Sequence, residues 1–311
     1  MTPQIVLAAD LGGTKTALGI ISPTGEVLHR DKIPTQAQIG GRPLAEATGK
    51  ALADLAATAR SMGYEPVGIG IGSAGVIGQQ GEVITAANLI KNWSGTPLAA
   101  IVSEVTGLPT YAVNDVHAHA LGEAWLGAAA RAETTLMVAF GTGVGGSYIS
   151  GGSQMRGAHS LAGHVGHFSS PLAVGVPCYC GSSGHVEAVA SGTGMVDSYR
   201  RLGGQGQVAN LFDLEQAADD GDSAALEAIR LGAQAAGTAL GDLATILDPH
   251  LIVVSGGVIN LGARWWDTVA STFTQAALGQ AAETPIVRAT LGGDAPLLGA
   301  ASLVPGFTTQ P

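Results

Sequence analysis

Short, unbroken apolar runs recur along the chain, and a glycine-bearing turn closes most of them. Residues 5–9 form the first run, which ends at Asp10 and the turn Gly12-Gly13-Thr14. Residues 17–21 resume it, so the pattern predicts strand, turn and strand. Ser22-Pro23-Thr24-Gly25 marks a second hairpin turn. Apolar positions at helical spacing run through 44–62 and stop at Gly63; 67–71 then read as a buried strand ahead of Gly72-Ser73-Ala74-Gly75. A helix is predicted over 97–106, closed by Gly107, then a strand over 111–113 and a helix over 116–126. Asn114 and Asp115 therefore stand at a strand-to-helix switch.

The second half repeats the opening. A run at 136–140, the turn Gly141-Thr142-Gly143-Val144-Gly145-Gly146 and a run at 147–150 give strand, glycine turn and strand again. Further on come a long alanine-rich helix over 223–247, a strand over 251–254, the turn Ser255-Gly256-Gly257, and a final turn and helix within 292–304. Alternating strands and helices with glycine loops between them predict an α/β protein. Two domains are expected: residues 1–113 with 295–311, and residues 114–294, the C-terminal helix packing back on the first.

Composition narrows the function. The 311 residues carry 14 Lys and Arg against 24 Asp and Glu, a net charge of −10, with no basic cluster longer than Arg200-Arg201. The attraction that nucleic acid or an anionic membrane requires is missing. The start of the chain lacks a basic and apolar leader, and no apolar run approaches the ~18 residues of a membrane span, so a cytoplasmic location is expected. The 47 glycines show no collagen-like period, which places them in turns and backbone-made ligand loops.

Three groups of residues carry candidate chemistry. Asp10, Gly12, Gly13, Thr14 and Lys15 put N–H groups, a hydroxyl and a carboxylate on one turn, able to cradle phosphate and orient a Mg²⁺ water; a plain hairpin turn is the alternative. Gly141 to Gly146 repeat that provision, as clamping a triphosphate from both domains requires. Asn114 and Asp115 supply an amide and a carboxylate where a helix N-terminus also points, either as a simple cap or as a base for a substrate hydroxyl. Finally, His167, Cys178, Cys180 and His185 form a His-x10-Cys-x-Cys-x4-His set, suited to a structural Zn²⁺ or else an unmetallated loop.

Taken in order, six landmarks resemble the ROK family of sugar kinases and related repressors over nearly the whole chain. These are Asp10-Leu11-Gly12-Gly13-Thr14, Asn114-Asp115, the turn from Gly141, Leu161-Ala162-Gly163-His164-Val165-Gly166-His167, Cys178-Tyr179-Cys180-Gly181 and Ser255-Gly256-Gly257. The resemblance implies a two-domain actin-like ATPase fold, ribonuclease H-like in type, with a cleft between the domains. It also implies an ATP- and Mg²⁺-dependent kinase, usually a homodimer, that phosphorylates a sugar 6-hydroxyl. Asp115 would be the general base. Asp10, Gly12, Gly13, Thr14, Lys15, Thr142, Gly143, Gly256 and Gly257 would meet ATP, and Asn88, Asn114, Asp115, His164, His167 and Glu187 the sugar.

Two departures from the family pattern are visible. His185 stands where the family usually places a third zinc cysteine. His164 replaces the usual glutamate, as in bacterial N-acetylmannosamine kinases; an imidazole can donate to an acetamide carbonyl, which a carboxylate cannot. N-acetylmannosamine is therefore the expected acceptor, a glucokinase or broader hexose kinase the alternative. A sugar-sensing regulator would need an added DNA-binding segment, for which a first hairpin at residue 5 leaves no room.

Overall fold

The computed structural model describes residues 2–86 and 89–308; the expected sugar contact Asn88 lies outside the described residues. In chain order the strands are β1 Gln4–Leu11, β2 Lys15–Ile21, β3 Val27–Pro34, β4 Glu65–Ser73, β5 Val76–Ile77, β6 Val83–Thr85, β7 Thr110–Asn114, β8 Thr134–Phe140, β9 Val144–Ser150, β10 Ser153–Gln154, β11 Leu251–Ser255 and β12 Ile286–Arg288. The helices are α1 Gly41–Ser61, α2 Leu98–Thr106, α3 Asp115–Leu126, α4 Glu187–Ala190, α5 Gly192–Arg201, α6 Leu211–Asp219, α7 Ser223–Leu247, α8 Ala263–Ala276 and α9 Ala295–Ala301. The expected runs all appear. The edge strand β3, which alternates poorly, and α5, α6 and α8 were not marked by the hydrophobic pattern.

The first of two compact units holds the described residues up to Arg131, Ile149–Ala162 and those from Thr290 onward. Its sheet runs β3-β2-β1-β4-β7, with β1 parallel to β4, β4 parallel to β7, and the hairpins β1-β2 and β2-β3 antiparallel. Strand β1 reads as a continuous apolar run because both its faces are covered. Ile5, Leu7 and Ala9 join a core with residues of α1 and α2, whereas Val6 and Ala8 join Trp125 of α3 and Leu297 and Leu298 of α9.

Close helix contact on that second face depends on glycine. A Cβ at Gly299 would collide with the Ala118 carbonyl, one at Gly122 with the Ala295 carbonyl, and one at Gly70 of β4 with the Ala300 carbonyl. Helix α3 therefore packs into the first unit, and the expected boundary before Asn114 differs from the one drawn by these contacts, after Arg131. The buried carboxylate of Glu123 strengthens the same join by accepting from Thr290 N at 2.9 Å, Leu291 N at 2.8 Å and Ala128 N at 2.8 Å.

The second unit holds Ala132–Tyr148 and Gly163–Ala289. The second sheet runs β10-β9-β8-β11-β12, with β11 parallel to both β8 and β12. Helix α7 starts on an Asp222 cap, whose side chain accepts from Ala224 N at 2.8 Å and Ala225 N at 3.2 Å. Its Gly237 and Gly241 leave room for α8. Trp265 is fully buried in this unit's core, 5.6 Å edge-on from Phe140. No described helix is long and apolar enough to cross a membrane.

Replacing glycine by alanine inside a helix ordinarily stabilises it by up to about 1 kcal/mol. At Gly299 the sign reverses, because the methyl meets the α3 backbone. Gly299→Ala is expected to lose about 1–3 kcal/mol in urea unfolding, the cost of overpacking a well-filled contact.

Candidate functional site

Parallel strands place their following loops on one edge, and ligands of open α/β sheets gather at the carboxyl ends of such strands. In the first unit Asp10 of β1 pairs in register with Gly72 of β4, and Gly72 with Val113 of β7. The next row is Leu11, Ser73 and Asn114. Asp115 opens α3 directly behind that row, so the chain brings Asp10 and Asp115 to the same edge.

Gly72 lies between them. A Cβ there would stand 3.7 Å from both Asp10 Oδ1 and the Asp115 Cα, and 3.0 Å from the Ala118 Cβ. Burial, followed by the negative charge of Asp115, pushes the Asp10 carboxyl from its ordinary 3.8 up to about 6. Asp115 Oδ1 accepts from the Val116 N–H at 2.8 Å, which turns the carboxylate to the positive end of α3.

Asn114 acts as the α3 cap: its Oδ1 accepts from Val116 N at 3.0 Å and His117 N at 3.4 Å. Its Nδ2 donates to the Gly75 carbonyl at 3.0 Å, tying down the loop after β4. Trp93 Nε1 braces the same loop through Ser73 Oγ and the Ala74 carbonyl, both at 3.2 Å. The β1-β2 turn closes with Gly12 N on the Lys15 carbonyl at 3.2 Å, and Thr14 and Lys15 are exposed.

The second unit carries the other glycine turn. Three residues join the neighbouring strands β8 and β9, and Gly141 N donates to the Gly143 carbonyl at 2.9 Å. The turn is held by α5, through Gly192 N to the Gly141 carbonyl at 2.8 Å and Thr193 Oγ1 to the Thr142 carbonyl at 2.6 Å. Gly256 takes a positive φ of 93°, and a Cβ there would strike the Phe140 carbonyl, so glycine is needed for β11 to meet the end of β8. Beside this turn lies a pocket of about 570 Å³. Thr142 and Gly257, two of the expected ATP contacts, line it with Tyr179 of the cysteine landmark, whereas Asp197, Arg200, Asn210 and Phe212 join them unannounced by any motif.

The donor atoms of His167, Cys178, Cys180 and His185 lie within 4.8 Å of one another. Tetrahedral Zn²⁺ with thiolate and imidazole ligands places donors roughly 3.3–3.8 Å apart. Cys180 Sγ to His185 Nδ1 is 3.3 Å and Cys178 Sγ to His167 Nδ1 is 3.8 Å. The set fits a soft dication. Without one, burial pushes the Cys178 thiol up to about 11, a cost that a bound cation would reverse. Glu187 links the cluster to the glycine turn: its Oε2 accepts from Val144 N at 2.8 Å, and its Oε1 lies 3.7 Å from Cys178 Sγ. His164 sits one short 3-10 turn before His167, their rings stacked 6.5 Å apart.

The ROK family model matches residues 6–306. A glucokinase of Halalkalibacterium halodurans is 32% identical over 98% of this chain and 96% of its own length. An N-acetylmannosamine kinase of Escherichia fergusonii is 31% identical over 96% of this chain and 98% of its own. Among solved structures, a ROK family glucokinase from Streptomyces griseus, in complex with glucose and AMPPNP, superposes with a TM-score of 0.76 at 31% identity, covering 96% of this chain and 98% of that one. The chain belongs to the ROK family and has the actin-like ATPase fold of its sugar kinases.

Because Asp10 is held above its unfolded value, it favours the folded state below about pH 3.8 and loses that contribution as pH rises through about 6. Asp10→Asn removes the charge that burial and Asp115 disfavour. The variant is expected to be more stable than the parent at pH 8, by roughly 3 kcal/mol at most, and nearly equal at pH 4. Urea titrations at the two pH values provide the check.

Proposed function

We propose that this protein transfers the terminal phosphoryl group of ATP to the 6-hydroxyl of a hexose-type sugar. The observation that carries the proposal is the convergence of Asp10 and Asp115 on one strand edge of a ROK-family chain whose relatives are named as sugar kinases. Phosphoryl transfer needs a positioned carboxylate for the acceptor proton and donors that hold the phosphates; Asp115 would supply the first and the residues at the two glycine turns the second.

Asp115 takes the proton as the 6-oxygen forms its bond to the γ-phosphorus. The bond to the bridging oxygen then breaks, and ADP departs with that electron pair. Mg²⁺ bound with the nucleotide would neutralise charge on the phosphates, and Asp10 is the residue to orient it, since a dication offsets both causes that hold its carboxyl near 6. Backbone N–H groups at Gly12, Gly13, Gly143, Gly256 and Gly257, with Thr14, Lys15 and Thr142, would bind phosphate. The pocket beside Thr142 would take the nucleoside, with Phe212, 72% exposed, free to stack on the base.

The sugar would be held by Asn88, Asn114, Asp115, His164, His167 and Glu187. His167 can serve sugar and metal together, because Nδ1 faces Cys178 and the ring has a second nitrogen. A structural Zn²⁺ on His167, Cys178, Cys180 and His185 would fix that ring. N-acetylmannosamine is the acceptor we favour, on the donor capacity of His164. Glucose is the second reading, favoured by the 32% identical glucokinase.

Asp115→Asn is expected to lower turnover about 10²–10⁴-fold while sugar affinity changes little, measured by coupled ADP release and calorimetry. Near-normal turnover would remove Asp115 from the role of base. On a panel of hexoses and N-acetylhexosamines, the parent should prefer N-acetylmannosamine, and His164→Glu should shift the ratio toward glucose by roughly tenfold, as an unpaired acetamide carbonyl costs about 1–3 kcal/mol. A parent that prefers glucose would defeat the argument from His164.

A further inference from the structure

Tyr179 lies between two of the four metal-ligand candidates, yet its side chain belongs to the pocket wall. Its residue is 69% exposed and its hydroxyl donates to Asp197 Oδ2 at 2.8 Å. The other oxygen of Asp197 accepts from Arg200 NH1 at 2.7 Å, and Arg200 NH2 donates to the Val208 carbonyl at 3.1 Å. Val208 lies just ahead of Asn210, Leu211 and Phe212, which line the same pocket as Tyr179. One hydrogen-bonded relay thus runs from the cysteine turn, through the pocket floor on α5, toward the pocket's other lip.

Apart from the contacts of Cys178 and Cys180 with His167, His185 and Glu187, the tip of the cysteine turn lies at the surface. Residues 179–183 are all exposed; Cys178 N donates to the Ser182 carbonyl at 2.8 Å, Gly181 N to the Cys178 carbonyl at 3.0 Å, and an antiparallel bridge joins Pro177 to Ser183 at the base. A segment so exposed has little buried surface to order it beyond these bonds and those of the Tyr179 hydroxyl at its tip. A cross-link through Cys178 and Cys180 to His167 and His185, both flanking residues of Tyr179 being ligands, would fix the turn from either side of the tyrosine.

We propose that Tyr179 is a positioning residue that couples metal occupancy of the His167, Cys178, Cys180 and His185 cluster to nucleotide affinity in the pocket lined by Thr142, Arg200 and Phe212. The proposal rests on the kinase reading and on zinc as the cluster's ion. Metal binding sets the place of the phenol ring and its bond to Asp197; Asp197 then holds Arg200, and Arg200 the segment before α6. Losing the ion would loosen the nucleotide site itself, in addition to any effect on the sugar through His167.

The test is calorimetric titration of the full chain with AMPPNP in excess Mg²⁺, before and after treatment with a zinc-selective chelator, with zinc content measured and the fold followed by circular dichroism. Removing zinc from the parent should weaken AMPPNP roughly fivefold or more, the effect of a lost charge-assisted hydrogen bond. Zinc-loaded Tyr179→Ala and Tyr179→Phe should start from that weaker affinity and lose little more on chelation. Three results overturn the coupling: a parent that carries no zinc, zinc loss with unchanged AMPPNP affinity, or chelation that weakens Tyr179→Ala as much as the parent. Failure of every form to bind AMPPNP is a different outcome, since it removes the kinase reading and the coupling with it.

Discussion

The candidate site depends on two carboxylates held at one strand edge against their mutual repulsion. Asp10 ends β1, Asp115 begins α3, and Gly72 between them has no side chain to fill the space. The arrangement costs the unliganded chain stability, which burial and like charge register as the raised Asp10 carboxyl. Proteins keep such strain where a ligand relieves it. A cation would relieve it, and the proposed phosphate ligand would bring one.

That constraint explains the helix packing behind the site. Asp115 can stand beside β1 only if α3 lies close on the sheet, and α3 is held there by α9 through Gly122, Gly299 and Gly70, where any Cβ would meet backbone. Glu123 ties the end of α3 to the segment leading into α9 by accepting three backbone N–H groups and the Thr290 hydroxyl. The glycine content noted in the sequence thus serves helix packing as well as ligand loops.

Much of the fold was legible in the sequence because strands buried on both faces leave unbroken apolar runs, and the turns that close them need glycine. The place of Asp115 was legible for a related reason: a carboxylate at a strand-to-helix switch stands at a strand's carboxyl end. The pocket wall was not. Tyr179 sits inside a cysteine motif that draws attention to its neighbours, while Asp197, Arg200 and Phe212 lie on the ordinary polar faces of α5 and α6. They come to line one pocket only once those elements pack. The helix cap was one of the two readings open for Asn114 and Asp115; the Asn114 contact with the Gly75 carbonyl was not visible, because it joins residues 39 positions apart.

The most direct test of the account is the titration of the Asp10 carboxyl itself, followed by carbon NMR in the free protein and in Asp115→Asn. The account predicts a midpoint near 6 in the parent, shifted down when Asp115 loses its charge and shifted down again on adding Mg²⁺ with AMPPNP. A midpoint near the ordinary 3.8, unmoved by either change, would contradict it.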